Sequence, residues 1–231
     1  MLLYQPQSGY NYNSDSLLLY DFINSFKPRG RVLDIGAGCG IVGLLVARDN
    51  PKIELEAVEK QDIFVSYALV NARVNKIKYK IQKEDVLNFY ESQKYDFIFS
   101  NPPFYNEGSK QSKDNMLFNA RYNVNLPIDK FFKKISRLLK PQAHFIFCYE
   151  ASQFSLICAE LHRVKLRVVD VRFVHSKVNK KAFLVLIHVR NSSKSLMNVL
   201  PPLITMDSDN YTQEVEKIFK KASTHSIKCQ L

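Results

Sequence analysis

Two clusters in this 231-residue chain have the residue types and spacing to do chemistry. The first is Asn101-Pro102-Pro103-Phe104. A proline after Asn101 pushes that residue out of the helical region and fixes where its amide points. Pro102 has no N–H, yet its carbonyl stays free as an acceptor. The Asn101 side-chain oxygen and the Pro102 carbonyl can therefore accept two hydrogen bonds from one planar NH2 group. Phe104 supplies a flat face on which an extruded base could stack. Such a turn orients an amine and steadies the positive charge that grows on it as it attacks an electrophile. No general base is needed if the proton leaves during or after attack.

The second cluster is Asp34-Ile35-Gly36-Ala37-Gly38-Cys39-Gly40. Glycines at a strand-to-helix turn let a ligand lie against bare backbone at a helix N-terminus. Glu59, about 20 residues on, could accept both hydroxyls of a ribose. Gly38-x-Gly40-x-x-Gly43 matches the dinucleotide fingerprint literally, which points to NAD. Asp34 points the other way, because a carboxylate there repels a pyrophosphate and suits the amino group of S-adenosylmethionine (SAM). Cys39 fits a small packing residue better than a nucleophile.

The elements that must position these clusters can be read from the apolar pattern. Residues 14–26 predict a helix that ends before Pro28, and Arg31–Ile35 a short buried strand. A helix through Ile41–Ala47 stops at Asn50-Pro51, and 53–59 is the next strand. Ile63, Tyr67, Val70 and Val74 repeat at helical spacing and predict one buried stripe. Tyr79–Ile81 predicts a short strand ending near Asp85, and Tyr95–Ser100 the clearest buried strand. Ile128, Phe132, Ile135 and Leu138 predict a helix closed by Lys140-Pro141. A strand at 144–149, a helix at 152–162, and strands at 166–175 and 182–190 follow. Strands separated by helices mean an α/β fold with a mostly parallel sheet and helices on both faces. Only Ser176–Lys181 joins the last two strands, so the last runs antiparallel. Residues 105–127 read as a long polar loop beside the Asn101 turn.

Composition narrows the classes. The chain is 46% apolar and 24% charged, which fits a folded globular protein and excludes disorder. No apolar run reaches the roughly 18 residues needed to span a bilayer, and Met1–Pro6 lacks the pattern of a signal peptide. Cys39, Cys148, Cys158 and Cys229 lie far apart with no metal-ligand spacing. That predicts no metal, no disulfide framework and reduced thiols of a cytoplasmic protein. The formal charge is +11, all of it after Phe104: residues 1–104 are neutral and 105–231 carry the excess. A one-sided basic balance suits a polyanion, although a lysine-rich solvated surface gives the same count.

Taken with these motifs, the chain resembles the class I methyltransferases that modify amino groups, most closely the bacterial tRNA1(Val) adenine-N6 methyltransferases. The resemblance runs nearly end to end. It takes in Gln5, Gly9-Tyr10, Asp15–Leu19, the glycine turn, Val58-Glu59, Ser100–Phe104, Ala120-Arg121, Leu138–Pro141, Pro202–Ile204 and Tyr211-Thr212. It departs from the family at Asn11 and at Tyr122-Asn123. The resemblance implies a Rossmann-like class I methyltransferase with a seven-stranded sheet. It also implies N6 methylation of adenosine 37 of a valine tRNA, with SAM as cofactor. Asp34, Gly36, Gly38 and Gly40 would then hold the methionine part, Glu59 the ribose and Asp85 the adenine amine. Asn101 to Phe104 would hold the target base, and Tyr10 and Asp15 would close over the methionine end. The division expected is a cap segment and helix over 1–30 and a core over 31–231 with a basic, substrate-binding second half. A monomer without membrane attachment is expected.

The same turn chemistry also serves guanine-N2 and protein glutamine-N5 methyltransferases. About 30 residues precede the glycine strand, too few for the helical domain the latter usually carries. A non-catalytic RNA-binding module is the rival from another class, with failure to bind SAM as its sign. Arg121 is the best single RNA-contact candidate, with the basic turn of His175, Lys177, Lys180 and Lys181 as another. That turn reads equally well as a solvated hairpin.

Overall fold

The computed structural model describes residues 1–7, 11–102 and 126–231. In chain order the elements begin with β1 (Leu2–Pro6), α1 (Ser14–Ser25), β2 (Arg31–Ile35), α2 (Ile41–Asp49) and β3 (Glu54–Glu59). Then come α3 (Asp62–Val74), β4 (Lys80–Lys83), β5 (Tyr95–Ser100), α4 (Ile128–Leu138) and β6 (Leu139–Glu150). A short 3-10 turn leads to α5 (Phe154–Arg163), β7 (Leu166–His175) and β8 (Ala182–Asn191). The rest is β9 (Asn198–Val199), β10 (Leu203–Ile204), β11 (Met206–Asp207), β12 (Asn210–Tyr211), α6 (Gln213–Ala222) and β13 (His225–Cys229).

The central sheet runs β10-β7-β8-β6-β5-β2-β3-β4, with β9 on the edge of β7. It is parallel except for β8, which lies antiparallel between β6 and β7. The seven expected strands are β2 to β8, and among the described residues the two-residue β9 and β10 add to them at the β7 edge, making nine. Two residues each give no apolar period, so they escape a pattern search.

Period-2 alternation divides the core between the two faces of the sheet. Phe97 and Phe99 of β5, with Ile146 and Cys148 of β6, pack on the face covered by α1 and α2. Ile98, Phe145 and Phe147 point to the other face, against Phe131, Phe132 and Ile135 of α4. Helix α1 is capped by Asn13, whose side chain accepts from the Asp15 N–H at 3.1 Å. Leu17, Leu18, Leu19, Tyr20, Phe22 and Ile23 are all buried along it.

Three expectations change. In α3 the buried residues are Phe64, Tyr67, Ala68, Asn71 and Ala72, while Ile63 and Val74 are exposed. The true stripe follows the face that meets β1 and the glycine turn, one residue over from the predicted set. Strand β6 starts at Leu139, directly after α4, and runs through Pro141 rather than beginning at 144. Helix α5 starts two residues later than expected, after the 3-10 turn at Ala151–Gln153.

A two-stranded parallel pairing, β1 with β13, was not read from sequence at all. It lies across α3, where Asn75 and Asn71 receive the backbone of β1. The Asn71 Oδ1 accepts from the Tyr4 N–H at 2.7 Å, and its Nδ2 donates to the Tyr4 carbonyl at 3.0 Å. Among the described residues no helix is long and apolar enough to cross a membrane.

Candidate active site

Strands β2, β3 and β5 end at one edge of the sheet, where open α/β sheets place their ligands. A cavity of about 350 Å³ opens there, a size suited to a small cofactor. Its wall includes Asp34, Gly36, Gly38, Glu59, Asp85 and Asn101, from four separate segments. The Gly36 N–H donates to the Val58 carbonyl at 2.8 Å, which seats the glycine turn on the end of β3. Ser100 Oγ donates to the Ile35 carbonyl at 2.8 Å and fixes the end of β5 against β2. The sheet thus sets the spacing between the glycine turn and Asn101.

Gly36 (φ +68°) and Gly38 (φ +54°) take left-handed backbone, and a Cβ on either would meet nothing within 4 Å. Their missing side chains leave bare backbone open to the cavity. Gly40 (φ +83°) is the N-cap of α2 and lies behind the turn rather than on the cavity wall. Gly43, which completes the literal dinucleotide fingerprint, has a different reason. A Cβ there would sit 2.6 Å from Asp34 Oδ2, and its N–H donates to that oxygen at 3.0 Å. The third glycine makes room for a carboxylate, not for a pyrophosphate.

Asp34 is 3% exposed, and burial pushes its carboxyl up to about 8, with the Glu59 charge adding to the rise. Among the described residues no basic side chain pairs with it. A buried carboxylate with one N–H and no cation is costly. The amino group of SAM is the charge that would relieve it, so the donor set fits this cofactor and disfavours a dinucleotide.

Glu59 is buried, and desolvation raises its pKa. Its Oε2 accepts from the Gly38 N–H and its Oε1 from the Gln61 N–H, both at 2.9 Å. The Lys60 N–H also faces this carboxylate, so three backbone donors meet about four lone-pair sites, and the capacity that remains is what a ribose hydroxyl would use. Asp85 reaches the cavity wall but is already engaged. Its Oδ1 accepts from the Leu87 N–H at 2.9 Å, and its Oδ2 pairs with Lys60 Nζ at 2.9 Å.

Asn101 and Pro102 line the cavity. Pro103, Phe104, Tyr10 and Arg121 lie outside the described residues. Asp15 is buried but not on the cavity wall; it bonds to its own cap residue Asn13, and its neighbours Tyr12 and Ser16 reach the cavity instead. Sequence reasoning missed Tyr12. Its N–H donates to Gln5 Oε1 at 2.9 Å and its hydroxyl to Thr224 Oγ1 at 3.1 Å. It also missed Asn71, whose Nδ2 donates to the Cys39 carbonyl at 2.9 Å inside the glycine turn. An asparagine in a helix stripe was the available signal, hidden because that stripe was placed one residue off.

The basic turn falls at the same sheet edge, since β7 runs parallel to β2 and ends at His175. Lys177, Lys180 and Lys181 are exposed, whereas His175 Nδ1 is tied to the Lys180 carbonyl at 2.7 Å and holds the turn.

Comparison with known proteins agrees with this geometry. Residues 12–124 match the methyltransferase small domain. The tRNA1(Val) (adenine(37)-N6)-methyltransferase of Aliivibrio salmonicida is 31% identical over 165 residues, covering 68% of this chain and 70% of its own length. That of Aliivibrio fischeri is 30% identical over 141 residues, covering 60% of this chain and 59% of its own. A crystal structure described as a predicted O-methyltransferase from Agrobacterium tumefaciens superposes with a TM-score of 0.70 at 15% identity. That match covers 93% of this chain and all of the other. With the glycine turn, the unpaired Asp34 and Asn101 on one cavity wall, the chain belongs to the SAM-dependent tRNA1(Val) (adenine(37)-N6)-methyltransferase family.

Proposed function

We propose that this protein transfers the methyl group of SAM to the exocyclic N6 amine of an adenosine in tRNA, at position 37 of a valine tRNA. The observation that carries this reading is Asn101-Pro102 lining the same cavity as the glycine turn and the cation-seeking Asp34. Bound SAM would supply an electrophilic methyl group on its sulfonium to the target amine. Asp34 neutralises the amino group at the methionine end, Glu59 takes the ribose, and Asp85 faces the adenine. Asn101 Oδ1 and the Pro102 carbonyl accept from the target NH2, draw its lone pair out of conjugation and steady the growing positive charge. Phe104 stacks on the flipped base. The amine proton leaves to water.

The segment 1–30 acts as the cap on the cofactor, with Tyr10 and Tyr12 at the methionine end. The basic second half holds the RNA, through Arg121 and through Lys177, Lys180 and Lys181 with His175 shaping their turn. The protein acts as a cytoplasmic monomer.

The test is incubation with SAM and tRNA from a host lacking the activity, followed by nucleoside mass spectrometry. N6-methyladenosine is expected. N2-methylguanosine would replace the substrate and keep the chemistry, and no product would overturn the reading. Asn101→Ala should abolish turnover and leave SAM binding in place; undiminished turnover in that variant would remove the proposed role of the turn.

A further inference from the structure

Asparagine's amide has two ends of nearly equal shape and opposite hydrogen-bonding character, so its neighbours decide which end faces an amine. Two side chains from different elements meet the Asn101 amide. Cys148 of β6 donates its thiol to Asn101 Oδ1 at 3.0 Å, and Asn101 Nδ2 donates to Ser16 Oγ of α1 at 3.4 Å. Ser16 lines the cavity, whereas Cys148 is fully buried and lies behind Asn101.

We propose that Cys148, assisted by Ser16, is a positioning residue that locks the Asn101 amide with its oxygen as the acceptor for the target amine. This rests on the methyl-transfer reading above. A thiol is a donor and only a feeble acceptor, so the amide end it faces is the oxygen. The serine hydroxyl can serve either end and adapts. Burial, and then the Asp15 charge, hold the Cys148 thiol well above its ordinary range, so it keeps its proton. One Oδ1 lone pair goes to the thiol, and the second remains for the NH2 group. Without the thiol, rotation of the amide by half a turn about its last bond would present an NH2 to an NH2. That arrangement repels the substrate and offers no acceptor for the developing charge.

Packing alone also explains a buried cysteine, and serine separates the two roles. Serine keeps a donor and loses the bulk of sulfur, so a packing role leaves Cys148→Ser as impaired as Cys148→Ala. A donor role lets serine rescue. The experiment measures kcat for N6-methyladenosine formation, and the dissociation constant of SAM by calorimetry, in the wild type, both variants and Ser16→Ala. Cys148→Ala should lose about tenfold or more in kcat, as for a misplaced catalytic group, with SAM affinity unchanged. Cys148→Ser should recover most of that loss, and Ser16→Ala should fall less than Cys148→Ala. Should Cys148→Ala not fold, Ser16→Ala and Cys148→Ser carry the comparison: undiminished turnover in the first, or in the second a loss matched by weakened SAM binding, overturns the role. Wild-type turnover by Cys148→Ala, or equal impairment of the alanine and serine variants, overturns it as well. If the wild type forms no N6-methyladenosine, the functional reading falls and this proposal with it.

Discussion

At the residue scale, Asp34 couples cofactor binding to pH. Its carboxyl, raised to about 8 by burial, holds a proton at neutral pH until a cation arrives. Binding of SAM should therefore release a proton, and affinity should rise by up to about tenfold per pH unit from pH 6 toward 8. Above that the cofactor's own amine loses charge and the gain stops. Calorimetry in buffers of different ionisation heat checks the release; a pH-independent affinity would contradict it. The same group works against the cofactor-free fold. Its folded pKa lies above the unfolded value of 3.8, so its contribution is favourable at low pH and is lost as pH rises through about 8. Asp34→Asn should accordingly melt higher than the wild type at pH 8 and above without cofactor, while binding SAM more weakly. Gly43→Ala should lose SAM affinity although residue 43 is off the cavity wall, because its Cβ takes the place of the Asp34 carboxylate.

At the scale of elements, the sequence was most readable where one period dominated. The alternation of Phe97, Ile98 and Phe99 and the stop at Asn101-Pro102 located β5 and its end at Ser100. The register of α3 was misread because Asn71 and Ala72, which are buried, look unlike core, and Ile63 and Val74, which are exposed, look like it. What buries Asn71 is a strand more than sixty positions away, and no local window contains that information. Strand β13, His-Ser-Ile-Lys-Cys, carries only Ile227 and Cys229 as apolar residues on one face, too few to mark a strand, and it forms by pairing with β1. Removing residues 224–231 should thus weaken SAM binding as well as lower the melting temperature. Tyr12 loses the Thr224 oxygen that holds its hydroxyl, and Gln5 loses Ser226, to which its Nε2 donates at 2.5 Å. A truncated protein with undiminished SAM affinity would show that the pairing does not brace the cavity. The opposite edge of the sheet carries a buried chain of its own. His188 Nδ1 meets Asp170 Oδ2 at 2.7 Å, and its other nitrogen meets His144 Nδ1 at 2.9 Å. Burial lowers His144 to about 4 and also lowers His188. A depressed histidine leaves the native state with fewer protons than the unfolded one. Its stability contribution is present above about 6.5 and is lost as pH falls toward 4. A Tm profile should decline over that window, and His144→Gln should flatten the decline.

At the scale of the whole molecule, part of the basic excess of the second half is placed beside the cavity. The parallel run of β7 brings the exposed lysines of the 176–181 turn to the edge that carries the cavity. An RNA held there by phosphate contacts releases counterions, so kcat/KM should fall steeply with added salt. Lys177→Ala with Lys180→Ala and Lys181→Ala should reduce that slope without altering SAM affinity. A salt-independent kcat/KM would move the RNA elsewhere. The pairing of β1 with β13 joins positions more than two hundred residues apart; the Met1 amino group itself donates to the Ser223 carbonyl. Closing so long a loop gains little until everything between its ends has already folded. These strands are therefore the last to dock during folding and the first to detach during fluctuations. Their amides should exchange hydrogen through local opening, while those of β2 and β5 wait for global unfolding. Because Gln5 of β1 and Thr224, just before β13, hold Tyr12 at the cavity, that early detachment should loosen the cavity wall while the sheet stays intact.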